Sequence, residues 1–144
     1  LPILYAIIAD VCAFANTNGG TLYVGVSANP KVKPTGLPED INQAVEQLRR
    51  EIHRRITPPV DASISVAKTE GVPVIRVQIP RGDDPPYAID DNKIYVRSEG
   101  ETSLAVRDEI VNLITGSTAV SEAPDEGTAL GHIDTRPGRP SKRA

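Results

Sequence analysis

The chain has 144 residues, 39% of them hydrophobic and 24% charged, with a formal net charge of −3. That is enough for one domain with a core of ordinary size, and the balance lacks the basic excess that marks many polyanion binders. No apolar run approaches the ~20 residues of a membrane span, no basic-then-apolar leader opens the chain, and the single cysteine, Cys12, excludes an internal disulfide or a multi-cysteine zinc site. These features predict a reducing, cytoplasmic protein without a membrane partner. Because it opens on Leu1 rather than Met, the chain reads as a fragment.

Ile3 to Asn16 is predicted to be a helix: Ala6, Ile7, Val11 and Phe14 fall near helical spacing, and Asn and Gly follow as stop signals. Thr21 to Val26 is apolar at both alternations, which predicts a buried, central strand. A proline-containing loop leads to a second helix in "LPEDINQAVEQLRREIHRRITPP". Its first turn is expected to hold Glu39 and Asp40, its apolar stripe Ile41, Val45, Leu48, Ile52 and Ile56, and Pro58-Pro59 ends it. The period then drops to two. Val60, Ala62, Ile64 and Val66, followed by Ile75, Val77 and Ile79, predict an antiparallel hairpin. A short strand is expected at Tyr87–Ile89 and a last one at Lys93–Ser98. Thr102 or Ser103 is then expected to cap a closing helix that runs to Ile114 and stops at Gly116. Residues 117–144 lack periodicity and read as a disordered linker, in which the four acids precede the four bases of "TRPGRPSKRA". The order gives an α+β fold: one domain over 1–116, with a mostly antiparallel or mixed sheet covered by about three helices.

Most catalytic chemistries find no footing. The glycine pair of "CAFANTNGGTLYVGV" sits between helix and strand with no lysine after it, the reverse of a phosphate-cradling loop, so Gly19 and Gly20 read as a structural turn. Asn16 and Asn18 each bring an amide to that turn and stand as candidate ligand contacts. His53 and His132 have no metal-ligand neighbours at zinc spacing. Cys12 lies among apolar residues and no serine motif forms a nucleophile elbow, so no metal, cofactor or complete catalytic set is expected. The basic residues carry the binding hypothesis. Arg49, Arg50, Arg54 and Arg55 line the second helix, where the bland alternative is a solvated face salt-bridged to Glu46 and Glu51 at i,i+4. Lys31, Lys33 and Arg97 are further phosphate candidates. Near the C-terminus Gly138-Arg139-Pro140 with Lys142 is similar to a minor-groove hook, against the alternative of a basic linker.

Taken together, "CAFANTNGGTLYVGV", "ITPPV", "GVPVIRVQIP", "PPYAIDDNKIYVRSEGETSLA" and "DEIVNLI" resemble the Schlafen-type AlbA-like domain, formerly grouped as divergent AAA, over Ala6 to Ile114. The resemblance implies a nucleic-acid-binding domain, for DNA more than RNA, in a bacterial or archaeal transcriptional regulator. Family ribonucleases use an acidic segment before the first helix and an acid soon after the Gly-Val strand end; here Ser27 follows Val26 and no acid comes before Glu39. Two other readings stay open: a metal-dependent ribonuclease completed by an upstream segment, and a dimerisation module or ATP-binding regulator that touches no nucleic acid.

Overall fold

The computed structural model describes residues 4–25 and 40–116, together with the backbone of 125–128. Helix α1 (Leu4–Asn16) buries Ile7, Ile8, Ala9 and every residue from Val11 to Asn16. A helix apolar nearly all round must be enclosed, and α1 is: it touches strands of all three sheets, as well as the second helix. Ala6, placed in the stripe by its spacing, is exposed; Ile7, Val11 and Phe14 are buried as expected.

Strand β1 (Gly20–Val24) pairs antiparallel with β4 (Val72–Ile79), and β4 pairs antiparallel with β3 (Ser63–Thr69). On its other edge β1 runs parallel to β8 (Asp125–Thr128), giving the order β3-β4-β1-β8 and a central β1, as its apolar sequence requires. The register sets Leu22 opposite Val77 and Val24 opposite Ile75, so these four side chains share the face turned to α1. Each is fully buried, and such burial stabilises by roughly 1.5–3 kcal/mol per side chain. The turn between β3 and β4 is Glu70-Gly71, both at positive φ, the geometry that matches strand twist in a two-residue hairpin. Val66 stays 48% exposed on β3, an edge strand of this sheet.

Helix α2 (Ile41–Arg55) is amphipathic: Ala44, Leu48 and Ile52 are buried, while Ile41 and Val45 pack at the margin. Asp40 lies just outside the first turn as the N-cap, its carboxylate accepting from the Asn42 N–H at 2.9 Å; Glu39 is outside the described residues. After α2 the chain extends at once into β2 (Ile56–Thr57), which pairs with β5 (Ala88–Ile89) and seats Ile56 in the core.

The largest departure from expectation follows β6 (Tyr95–Ser98). Thr102 and Ser103 do not cap a helix; they belong to β7 (Glu101–Leu104), which folds back on β6. Helix α3 (Arg107–Thr115) starts later, with Glu109 accepting from the Val106 N–H at 2.9 Å, and closes at Gly116 as predicted. No α3 side chain is buried. Apart from the four backbone residues of β8, the reading of 117–144 as a linker falls outside the described residues. No described helix is long and apolar enough to cross a membrane.

Candidate functional site

The asparagine-glycine turn between α1 and β1 is a junction of four segments. Asn16 is 5% exposed. Its Nδ2 donates to the Tyr87 carbonyl at 2.9 Å and the Tyr95 carbonyl at 2.8 Å, and its Oδ1 accepts from the Tyr87 N–H at 2.6 Å. Both amide hydrogens are therefore used inside the protein, holding the approaches to β5 and β6 against the end of α1. Thr17 braces the same junction, because its hydroxyl donates to the Ala13 carbonyl at 2.7 Å and accepts from the Arg97 N–H at 3.1 Å. Gly19, at φ 73°, donates to the Phe14 carbonyl at 2.8 Å and ends the helix. Asn18 is placed differently, on the rim of a cleft of about 70 Å³ that it shares with Arg81, Gly82, Glu109 and Asn112. Of the two asparagines proposed as contacts, one is a bracket and the other faces a hollow.

Arg97 is interior as well. At 8% exposure its guanidinium lies 4.9 Å from the Phe14 ring centroid, donates to the Thr102 hydroxyl at 2.9 Å and stands 3.7 Å from the Asp10 carboxylate. A cation over an aromatic face with a carboxylate nearby is satisfied where it is; the geometry gives it no open path to a phosphate. Sequence reasoning missed its partner, although a lone Asp10 inside an otherwise apolar helix was the available signal.

The second helix presents its basic residues outward. Arg49, Arg50, His53 and Arg54 are exposed on α2. The carboxylates find different partners from those their i,i+4 spacing suggested. Glu46 pairs with Arg49 at 3.4 Å and Glu51 with Arg54 at 2.6 Å, each at i,i+3. Arg55 turns instead to Asp90 at 2.8 Å and lies 5.3 Å above the Tyr5 ring, whose hydroxyl meets that of Tyr95 at 2.8 Å. The Arg54 hydrogen bond lowers the Glu51 pKa, and the Arg55 hydrogen bond lowers that of Asp90. Exposed pairs of this kind are worth ~0–1 kcal/mol and yield readily to a competing anion. Lys31, Lys33, Arg139 and Lys142 lie outside the described residues. Among the described residues, no group of three or more His, Cys, Asp or Glu could hold a metal ion.

Cys12 reports on the junction. Its thiol is fully buried, donates to the Tyr87 carbonyl at 3.2 Å, and is pushed up to about 11 by burial. A folded-state pKa raised above the ordinary 9.0 means a stabilising contribution that is complete below pH 9.0 and is lost as the pH rises through about 11. At pH 8 a disulfide reagent should therefore label Cys12 only at the rate of unfolding, and fast native-state labelling would show that α1 is not enclosed.

No curated protein matches the chain. Among solved structures, the crystal structure of the DIP2311 protein from Corynebacterium diphtheriae is similar at a TM-score of 0.59 and 20% identity, over 78% of this chain and 19% of that one. The likeness is one of fold, and this chain spans 19% of the length of that relative. The family model described as Schlafen, AlbA_2 matches residues 4–106. That match runs from the first residue of α1 to the residue before α3, and the chain belongs to the Schlafen AlbA_2 family.

Proposed function

We propose that this chain is a nucleic-acid-binding domain, with DNA as the preferred polymer, serving a cytoplasmic regulator of bacterial or archaeal type. Its contact surface is the basic face of α2. The observation that carries this reading is the exposure of Arg49, Arg50, His53 and Arg54 on one well-capped helix in a chain whose net charge is −3. A local cationic stripe in an otherwise acidic molecule directs a polyanion to one place. The two ion pairs on that stripe cost little to open, so they tune the site without blocking it. The small share of the DIP2311 chain that is covered fits a domain that serves within a longer protein.

Fluorescence anisotropy with a labelled DNA duplex, across a salt series, tests the reading. Binding should weaken with salt, and the triple variant R49Q/R50Q/R54Q should lower the log–log salt slope by about 0.9 for each phosphate contact removed. Loss of affinity should be uniform across duplex sequences, because phosphate contacts position and do not specify. A duplex that shows no salt-sensitive shift at micromolar protein would overturn the proposal.

A further inference from the structure

Helix α3 is amphipathic in the inverted sense. At about 100° per residue, Glu109, Asn112, Leu113 and Gly116 fall on one side, and these four line the cleft shared with Asn18 and Arg81. Arg107, Ile110, Val111 and Ile114 fall on the opposite side. A helix that settles on its own domain ordinarily turns its apolar stripe inward and its polar residues out. Here Glu109 and Asn112 face the body, while Val111 is exposed and Ile114 is 65% exposed. No α3 residue belongs to the hydrophobic core or packs against it. The described residues include six exposed large hydrophobics, and four of them, Leu104, Val106, Val111 and Ile114, lie between the end of β7 and the last turn of α3. Single apolar residues on a surface are ordinary, but a cluster marks a protein-binding face.

We infer that this face pairs α3 with the α3 of a second copy, antiparallel, about a two-fold axis near Val111. The pairing stands apart from the nucleic-acid reading above. A second copy is the occupant because of how charge is laid along the stripe. Its one cation, Arg107, sits at the N-terminal end, where the helix dipole disfavours it, and the last turn holds no basic residue. Antiparallel packing carries each Arg107 to the partner's last turn, where the carbonyl end of the helix favours a cation. Parallel packing would set the two arginines side by side. The carboxylates stay off the seam: Asp108 pairs with Arg107 at 2.9 Å on the flank, and Glu109 faces the cleft and accepts from the Val106 N–H. Val111, midway along Arg107–Thr115, meets its own copy. Ile110 and Ile114 close around it with the aliphatic stem of the partner's arginine. One helix of nine residues is a short seam. The contact therefore falls in the small class, under ~1,200 Å², and a Kd of roughly 10–100 µM is expected.

Sedimentation equilibrium of the full chain, from roughly 5 to 500 µM to bracket that Kd, tests the pairing. The mass should rise from monomer towards dimer. Val111→Asp and Ile114→Asp should each weaken pairing about ten-fold or more, as loss of a central contact does, with melting temperatures near the parent because both side chains are exposed. I114D, at the more exposed position, keeps the test usable if V111D is unstable. Val66→Asp, at the exposed valine of β3, should pair as the parent does. So should R49Q/R50Q/R54Q, which excludes carried nucleic acid as the link between copies. Val111→Cys should oxidise to a linked pair in the native state, because residues on the axis come within the Cα separation a disulfide spans, while Cys12 is buried out of reach. A chain that stays monomeric across the range overturns the inference and leaves the face to a different protein. A dimer that V111D and I114D leave intact, or that V66D or R49Q/R50Q/R54Q abolishes, overturns it as well.

Discussion

Gly19→Ala is expected to cost about 3 kcal/mol or more, and to lower the melting temperature of this domain by roughly 10–20 °C. Two terms add. The first is conformational: Gly19 sits at φ 73°, where an L side chain loses about 1–2 kcal/mol. The second is steric: a Cβ there would lie 2.7 Å from both the Arg81 nitrogen and the Ile79 carbonyl oxygen, and 3.0 Å from the Pro80 carbonyl carbon. All three are backbone atoms, so no rotamer change relieves the clash. Ile79 pairs with Gly20 at the end of the β1–β4 ladder, and relief means pulling that pair apart. The two terms can be separated by experiment. Gly71 and Gly100 also lie at positive φ, yet have nothing within 4 Å of their would-be Cβ positions. G71A and G100A should therefore show the conformational term alone, about 1–2 kcal/mol each by urea denaturation. Should G19A melt within a few degrees of those controls, the close approach of the turn to the 79–81 backbone is not as described.

The two terms also differ in how far the sequence reveals them. Gly19 is readable as a helix stop from composition, because asparagine and glycine end helices for local reasons. The closeness of residues 79–81 is not, since it arises from a pairing nearly sixty positions away in the chain. The same division runs through the fold. Helices α1 and α2 and the β3–β4 hairpin are readable because their apolar spacing follows the period of the element itself. Strand β1 is readable as central because it is apolar at both alternations. Strand β7 is not, because Thr102 and Ser103 followed by acids look like a cap. What draws Thr102 into a strand instead is its pairing with Arg97, whose guanidinium bonds the Thr102 hydroxyl at 2.9 Å. Local signals lose to a buried arginine that needs partners.

The candidate site divides likewise. Exposure of the basic face of α2 follows from amphipathic periodicity and is foreseeable, whereas the choice of partners is not. At i,i+4 spacing Glu51 faces Arg55, yet Arg55 is taken by Asp90, thirty-five positions on, and Glu51 settles on Arg54. Arg97 and Asn16 carry a second ambiguity. A polar side chain near a strand end or a turn fits a ligand contact or an internal bracket equally well until its partners are known. Only burial separates the two, and burial is set by the whole chain.

Asn16 makes that distinction measurable. Asn16→Ala removes the donor for the Tyr87 and Tyr95 carbonyls and the acceptor for the Tyr87 N–H. Stranding buried backbone groups costs about 1–3 kcal/mol each, so a total of about 3–5 kcal/mol is expected, a large part of the ~5–15 kcal/mol that usually holds a domain folded. Asn16→Asp sharpens the assignment, because a carboxylate can still accept from the Tyr87 N–H but cannot donate to either carbonyl. Buried against two carbonyl oxygens, that carboxyl should have its pKa raised above ~3.9. The sign follows: a raised folded-state pKa gives a stabilising contribution that is complete below ~3.9 and is lost as the pH rises through the higher folded value. N16D should thus lose more stability relative to the parent at pH 7 than at pH 4, where the protonated acid regains one donor, while N16A shows no such dependence. A bracket predicts these stability changes with an unaltered salt slope for whatever DNA the folded fraction binds. A ligand contact predicts the reverse, near-parental melting with weakened binding, and that pattern would return Asn16 to the interface.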